Sequence, residues 1–186
     1  MLYYYKVPDS APQPINTPES WQVLGPYNAT SFENFDRAEE AESMTEWPQK
    51  VGELPRLTLK TRHGWVDPRP DYRRLFPLWR GFAETIRKQD PTMHVGDRWP
   101  VGLAVYLRGT VEVPEAGEYR LRIGHDDWLK IWVNGRYINT LRHEKGFDVA
   151  TVPVNLEAGA NRIMLKLNNM NNREYRLWAL NFAVQP

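Results

Sequence analysis

VPEAGEYRLRIGHDDWLKIWVNGRYI, residues 113–138, holds two runs in which apolar side chains fall at every second position. Tyr119, Leu121 and Ile123 alternate with Arg120 and Arg122, and Leu129, Ile131 and Val133 alternate with Lys130 and Trp132. A period of two belongs to a strand with one face on a core and the other turned away from it. Pro114-Glu115-Ala116-Gly117 makes the turn before the first run. Asn134-Gly135 ends the second, and this pair favours a tight hairpin because both residues tolerate positive φ. Arg136-Tyr137-Ile138 is then the return strand.

The same alternation continues outward in both directions. Upstream, Leu103, Val105, Leu107, Val111 and Val113 alternate with Tyr106, Arg108, Thr110 and Glu112. Downstream, after a second turn at Glu157-Ala158-Gly159, Ile163, Leu165 and Leu167 alternate with Arg162, Met164 and Lys166. A last strand over 175–184 carries Trp178, Leu180, Phe182 and Val184 on one face. Several short alternating strands joined by turn chemistry predict an all-β fold, a sandwich or a barrel, and the alternation favours a two-sheet antiparallel β-sandwich, the class that includes the jelly roll. The inward set is Leu121, Ile123, Leu129, Ile131, Val133, Ile163, Leu165 and Leu167. The two Glu-Ala-Gly turns echo each other, but the flanking strands keep no fixed period, which argues against a repeat architecture.

The N-terminal half is irregular and partly helical by pattern. Residues 6–20 hold four prolines among polar residues and predict an extended arm or linker over 1–20. WQVLGPY at 21–27 is a short strand closed by a turn at Gly25-Pro26. A single sandwich domain then runs over 21–186, with a long irregular insertion at about 28–100. Within it, 32–45 predicts a short helix with Phe32, Phe35 and Ala38 on one face, and 78–88 a second with Leu78, Phe82 and Ile86. Pro48, Pro55, Pro68, Pro70, Pro77 and Pro91 forbid long regular elements between them. Loops with aromatic plugs lying over one sheet are expected there.

At 186 residues, 41% of them hydrophobic, the chain is long enough to fold on its own core without staples. Twenty-four Lys and Arg against twenty-three Asp and Glu leave a net charge of +1, not the basic excess of a nucleic-acid binder. Arg69, Arg73, Arg74 and Arg80 cluster in sequence and are offset by Glu33, Asp36, Glu39, Glu40, Glu42 and Glu46. They read as solvated faces, and polyanionic glycans are the first partners to test against them. The absence of cysteine excludes a disulfide framework and thiolate chemistry. No run approaches the roughly 18 apolar residues of a membrane span. Met1-Leu2-Tyr3-Tyr4-Tyr5-Lys6 lacks the charged head and apolar middle of a secretory signal, so the chain is either cytoplasmic or a mature segment of a larger secreted protein.

Catalytic motifs are scarce. His63, His94, His125 and His143 have no helical zinc spacing, although His125, Asp127 and His143 are conceivable as one metal site. A glycosidase needs two separated carboxylates across the scissile bond. Asp126 and Asp127 are neighbours, and on an ordinary strand they point to opposite faces. They would serve only with a distorted backbone, or with Glu174 or Glu144 as partner. The same pair lies at the junction Gly124-His125-Asp126-Asp127-Trp128, between two strands. Its bland role is to cap backbone donors in a turn. Its functional role is to offer oxygens to a hard cation or to sugar hydroxyls. Asn168-Asn169-Met170-Asn171-Asn172 follows another strand, and amides both donate and accept, as hydroxyl recognition requires. Loops gather at one end of a sandwich, so these segments are expected to meet. Trp132 lies opposite Leu129, Ile131 and Val133 and predicts a cover from 28–100. Trp128, in the loop itself, is the better candidate for a platform on which a sugar stacks.

These residues resemble a known group. VPEAGEYRLRIGHDDWLKIWVNGRYI is similar to the centre of PA14-like and galactose-binding-like β-sandwich modules, which carry an aspartate pair, an apolar strand and Asn-Gly or Asp-Gly. VNLEAGANRIMLKLNN, residues 154–169, resembles their Gly, Asn and apolar-alternating strand. WQVLGPY resembles the opening of large bacterial accessory domains with the same sandwich. The resemblance covers 101–182 and 21–27, and not 30–98. It implies a non-catalytic carbohydrate-binding module, extracellular or periplasmic, fused to or acting beside glycoside hydrolases or lyases. Together with the loop reading above, this predicts a glycan site of His125, Asp126, Asp127, Trp128, Asn168, Asn169, Asn171 and Asn172. By analogy with lectin-like PA14 members it implies Ca2+ held by Asp126, Asp127 and an amide, Asn168 or Asn169. A small residue normally follows the aspartate pair; here it is Trp128. Two rivals stand beside this: a structural spacer with no ligand, and a small glycan-active enzyme.

Overall fold

Alternation becomes architecture once the strands pair in a register that puts every apolar position on one side. The computed structural model describes residues 16–51, 54–61, 64–66, 102–143, 147–169 and 179–186. In chain order the elements are β1 (Ser20–Asn28), α1 (Phe32–Asp36), a 3-10 turn (Glu40–Glu42), β2 (Lys50–Val51), β3 (Leu54–Pro55), β4 (Leu57–Lys60) and β5 (Trp65–Val66). They continue with β6 (Leu103–Val113), β7 (Gly117–His125), β8 (Leu129–Val133), β9 (Arg136–Leu141), β10 (Asp148–Leu156), β11 (Gly159–Asn169) and β12 (Leu180–Gln185). One sheet has the order β4-β1-β6-β11-β8-β9, the other β10-β7-β12-β5, and β2 and β3 form a small ribbon. The pairings are antiparallel throughout. The chain is an all-β sandwich.

The predicted inward set forms the core. On β11, Leu165 pairs with Leu107 of β6 and Ile131 of β8, so aliphatic side chains run in rows across the inner face. Leu121 and Ile123 of β7 and Leu180, Phe182 and Val184 of β12 meet them from the second sheet. A slip of one residue would turn Arg108, Arg162 and Lys166 inward, which fixes the register. Asn134 and Gly135 have φ of 51° and 80° and close the β8–β9 hairpin as expected. Asn161 is buried and ties two turns together. Its Oδ1 accepts from Asn134 Nδ2 at 2.9 Å, and its Nδ2 donates to the Glu157 carbonyl at 2.7 Å.

Three details depart from the sequence pattern. The strand opened by Trp21 does not stop at Gly25-Pro26. It continues to Asn28, and its pairing with β6 shifts between Leu24 and Tyr27, a bulge. Gly25 has φ of 139°, and a Cβ there would lie 3.1 Å from the Ala104 carbonyl oxygen, so glycine permits this close approach. The helix expected over 32–45 is a single turn, α1, followed by the 3-10 turn; Ala41 is buried in place of Ala38. The second helix, Trp178 and the arginine cluster at 69–80 lie outside the described residues. Asn16 and Glu19 are tied to the sandwich: the Asn16 carbonyl accepts from Val184 N at 3.0 Å and that of Glu19 from Thr61 N at 2.9 Å.

Segment 29–47 covers the outer face of the six-stranded sheet. Trp132 is buried there beside Leu24, Tyr106 and Met164, under Ala41 and Trp47, as its position on the strand predicts. Polar side chains of the sheet reach up to the backbone of this cap. Lys166 Nζ donates to the Arg37 carbonyl at 2.9 Å, and Lys130 Nζ to the Asp36 carbonyl at 2.6 Å and to its Oδ1 at 2.8 Å. Tyr106 Oη donates to Glu42 Oε1 at 2.6 Å, and Trp47 Nε1 to the Ala41 carbonyl at 3.1 Å.

Candidate functional site

The two polar segments singled out in the sequence meet at one end of the sandwich. β7 delivers His125, Asp126 and Asp127 there, and β11 ends there at Asn168 and Asn169. Backbone hydrogen bonds join them: Asp127 N donates to the Asn168 carbonyl at 3.2 Å, and Asn168 N to the Trp128 carbonyl at 3.1 Å. The side chain of Asn168 adds a third bond, its Oδ1 accepting from Trp128 N at 2.8 Å. Asp126 N donates to the Ala179 carbonyl at 3.2 Å, which brings in the approach to β12. Gly102 N donates to the Asn169 carbonyl at 2.7 Å, and Ala29 N to that of Gly102 at 2.9 Å. Gly102, Ala179 and Arg142 are parts of this corner that the sequence did not single out. No local motif marks them, because each arrives from a distant part of the chain.

His125, Asp126, Asp127, Asn168 and Asn169 are all buried. The peptide between the two aspartates is cis. Asp126, Asp127 and Asn169 all have partners. His125 Nδ1 hydrogen-bonds the Asp127 carbonyl, which can only accept, so Nδ1 carries the proton. Burial is the main influence on this imidazole and pushes its pKa down, against the raising effect of that bond. His143 Nδ1 lies 3.8 Å from Asp148 Oδ2. Among the described residues no three His, Cys, Asp or Glu side chains gather as a metal cluster, and the conceivable site of His125, Asp127 and His143 is not formed.

Trp128 requires a correction. The sequence offered it as the better candidate for a stacking platform; it is 2% exposed. Its ring lies 5.1 Å from that of Phe32 at an interplanar angle of 82°, and 5.6 Å from that of Phe35. Arg142 stacks over Phe32 at 4.3 Å and reaches to 5.4 Å from the Trp128 ring. A large ring between two strands has no strand neighbour obliged to bury it, but α1 supplies two aromatic ones from the cap. Trp128 therefore seals the corner against the cap and offers no face to a ligand. Asn171 and Asn172 lie outside the described residues.

A calcium site requires oxygen donors from carboxylates, amides and carbonyls, not imidazoles or thiolates. Asp126, Asp127 and Asn168 have that chemistry and share one corner. Asn168 Oδ1 already accepts from Trp128 N and keeps one lone pair, while Nδ2, buried with no hydrogen-bond partner among the described residues, is a donor and cannot ligate a cation. Trp128, turned into the cap, is held by contacts with Phe32 and Phe35. Carboxylate and amide oxygens are the kind of ligand a hard cation takes.

No family model matches the chain, and no curated protein does. Solved structures with a similar fold include β-glucosidase from Kluyveromyces marxianus, at 14% identity and a TM-score of 0.48, over 89% of this chain and 16% of that one. A family 35 carbohydrate-binding module from Clostridium thermocellum is 22% identical with a TM-score of 0.31, over 44% of this chain and 78% of the module. The PA14 domain of the MpAFP antifreeze protein is 19% identical with a TM-score of 0.36, over 45% of this chain and 43% of that one. The structures it resembles thus include a PA14 domain and a galactose-binding-like carbohydrate-binding module, and the likeness is weak and one of fold alone.

Proposed function

We propose that this chain is a non-catalytic carbohydrate-binding module, an accessory domain of the extracellular or periplasmic space that is fused to or works beside a glycoside hydrolase or lyase. One observation carries the reading: two adjacent carboxylates and two asparagines, all buried, converge at one end of the sandwich. Burying two like charges side by side is costly unless a cation or strong donors compensate them. Asp126, Asp127 and Asn168 would hold Ca2+, which would neutralise the pair and offer coordination positions to sugar hydroxyls. Asn168 orients the acidic turn through the bonds described above, Asn169 ties the same corner to Gly102, and glycan contact falls to this corner.

A glycan array probed with calcium and with chelator tests the binding, and thermal melting tests the ion. A ligand that binds only the folded state stabilises it by about 2.7 kcal/mol at a hundredfold excess over its Kd. Calcium should raise the melting temperature of the parent, and Asp126→Asn with Asp127→Asn should remove that rise. An unchanged parent would leave the acidic turn a purely structural role. A second reading, a spacer packing on a catalytic partner, is favoured by the burial of Trp128, which leaves the corner without a stacking ring. An empty array in both conditions would select it.

A further inference from the structure

A second polar site lies on the outer face of the six-stranded sheet, at the edge of the cap. A cleft of about 420 Å³ is lined there by Gln22, Thr45, Gln49, Arg56, Arg108 and Arg162, with Trp47 beneath and Glu46 beside them. Register brings the strand residues together. Arg108 of β6 pairs with Gln22 of β1 on one side and Met164 of β11 on the other, and Arg162 sits two residues along β11 from Met164. Arg56 comes from a third segment, between β3 and β4.

Two of the three arginines are ordered, but not by acids. Arg108 Nη1 donates to the Thr45 carbonyl at 2.9 Å and Nη2 to that of Met44 at 2.8 Å, and its guanidinium stacks 4.2 Å above the Trp47 ring. Arg56 Nη1 donates to the Trp47 carbonyl at 2.7 Å. Among the described residues none of the three takes part in an ion pair. Arg108 Nε is buried and has no hydrogen-bond partner among the described residues. Arg56 and Arg108, held by backbone carbonyls, and the exposed Arg162 surround one opening in which Glu46 is the one carboxylate among the described residues; the three cations repel one another, and an anion relieves that repulsion. Burial and the charge of Arg162 both push the pKa of Arg108 down, the same penalty seen from the titration side.

Guanidinium forks match the planar or tetrahedral oxygens of carboxylate and sulfate. The flanking groups narrow the ligand further. Gln22, Gln49 and Thr45 each donate and accept, as neighbouring hydroxyls need. We propose that this cleft binds an anionic sugar unit, a uronate or a sulfated residue, of a polysaccharide. It rests on the carbohydrate reading only for the class of ligand. Arg108 lies four residues along β6 from Ala104, the partner of Asn168, roughly 13 Å at strand spacing, and the cleft uses no metal ion.

Calorimetric titration of the full chain in chelator tests it, with oligogalacturonate, a heparin-derived oligosaccharide, a neutral cello-oligosaccharide and poly-glutamate as probes. At least one acidic glycan should bind, more weakly as salt rises, and the neutral one should not. Arg162→Gln and Arg56→Gln should each weaken that binding by about tenfold, the scale of one hydrogen bond to a charged group. Arg162 is exposed, so its variant should melt with the parent. Failure of both acidic glycans to bind, or parent affinity in both variants, would overturn the proposal. Poly-glutamate binding as tightly as the glycans would make the cleft an acidic-peptide site instead. Because chelator is present throughout, loss of the calcium effect and loss of this binding are separate results.

Discussion

The two faces of the six-stranded sheet are built on different principles. Between the sheets, β6, β8 and β11 present aliphatic side chains to β7, β10 and β12, and the contacts have no preferred direction. Under the cap, the same strands present Tyr106, Arg108, Lys130, Trp132 and Lys166, and most of the polar ones end on a named oxygen of segment 36–45. Apolar burial scales with area and tolerates repacking; hydrogen bonds in a dry seam do not. The inner layer therefore specifies that the chain folds, and the outer one specifies where one irregular segment sits. Both proposed sites lie at the margins of that seam.

The largest expected effects test whether the corner belongs to the dry interior at all. Leu165→Ala should cost about 2–5 kcal/mol and Trp128→Ala about 3–5 kcal/mol in urea unfolding, the ranges for truncations that leave a cavity. Equality of the two would mean that the cap seals Trp128 as tightly as one sheet seals the other. A cost for Trp128→Ala below about 1 kcal/mol would place its ring in solvent and restore the stacking platform.

Lys166 gives a smaller effect of distinctive sign. It is 0% exposed, and burial lowers its pKa from 10.5 to about 8, against the raising influence of Glu39 and Glu42. Between those two values the unfolded chain binds more protons than the folded one, so stability rises with pH. Tyr27 and Tyr106 act the other way. Burial raises both phenols, so above about pH 10 only the unfolded chain ionises them and stability falls. Urea unfolding at stepped pH should show a gain on the order of 1–3 kcal/mol from neutral pH to about pH 10, then a decline. Lys166→Met should remove the gain and keep the decline. A parent profile flat over that range would mean that water reaches the ammonium.

The inner layer was legible because a period of two runs through β6, β7 and β11, and Asn134-Gly135 announced its own turn. The meeting of residues 124–128 with Asn168 and Asn169 was legible from the way sandwich loops gather. Trp128 was not. Its fate depends on Phe32 and Phe35, which stand on a one-turn helix whose period is too short to read. The arginine cleft was hidden for another reason. Arg108 and Arg162 occupy alternate strand positions, where a charge ordinarily faces water, and only register plus the arrival of Arg56 brings them together.

The smallest expected effect asks whether the cap opens by itself. Ser31 caps α1, its Oγ accepting from Asn34 N at 3.1 Å. The helix has five residues, too few to hold its shape without the cap bond and the burial of Phe35. Ser31→Ala should cost about 1 kcal/mol. If the cap and the sandwich unfold together, that loss should appear equally in the amide exchange of β8, β11 and α1. The two faces predict otherwise. The core strands are held by area that Ser31 does not touch, whereas Asp36 and Arg37, the acceptors for Lys130 and Lys166, sit at the end of the turn that Ser31 starts. Exchange should therefore quicken about fivefold or more over 32–37, the ratio corresponding to about 1 kcal/mol, and stay near parent rates in β8 and β11. Uniform quickening would show one cooperative unit and erase the distinction between the two faces.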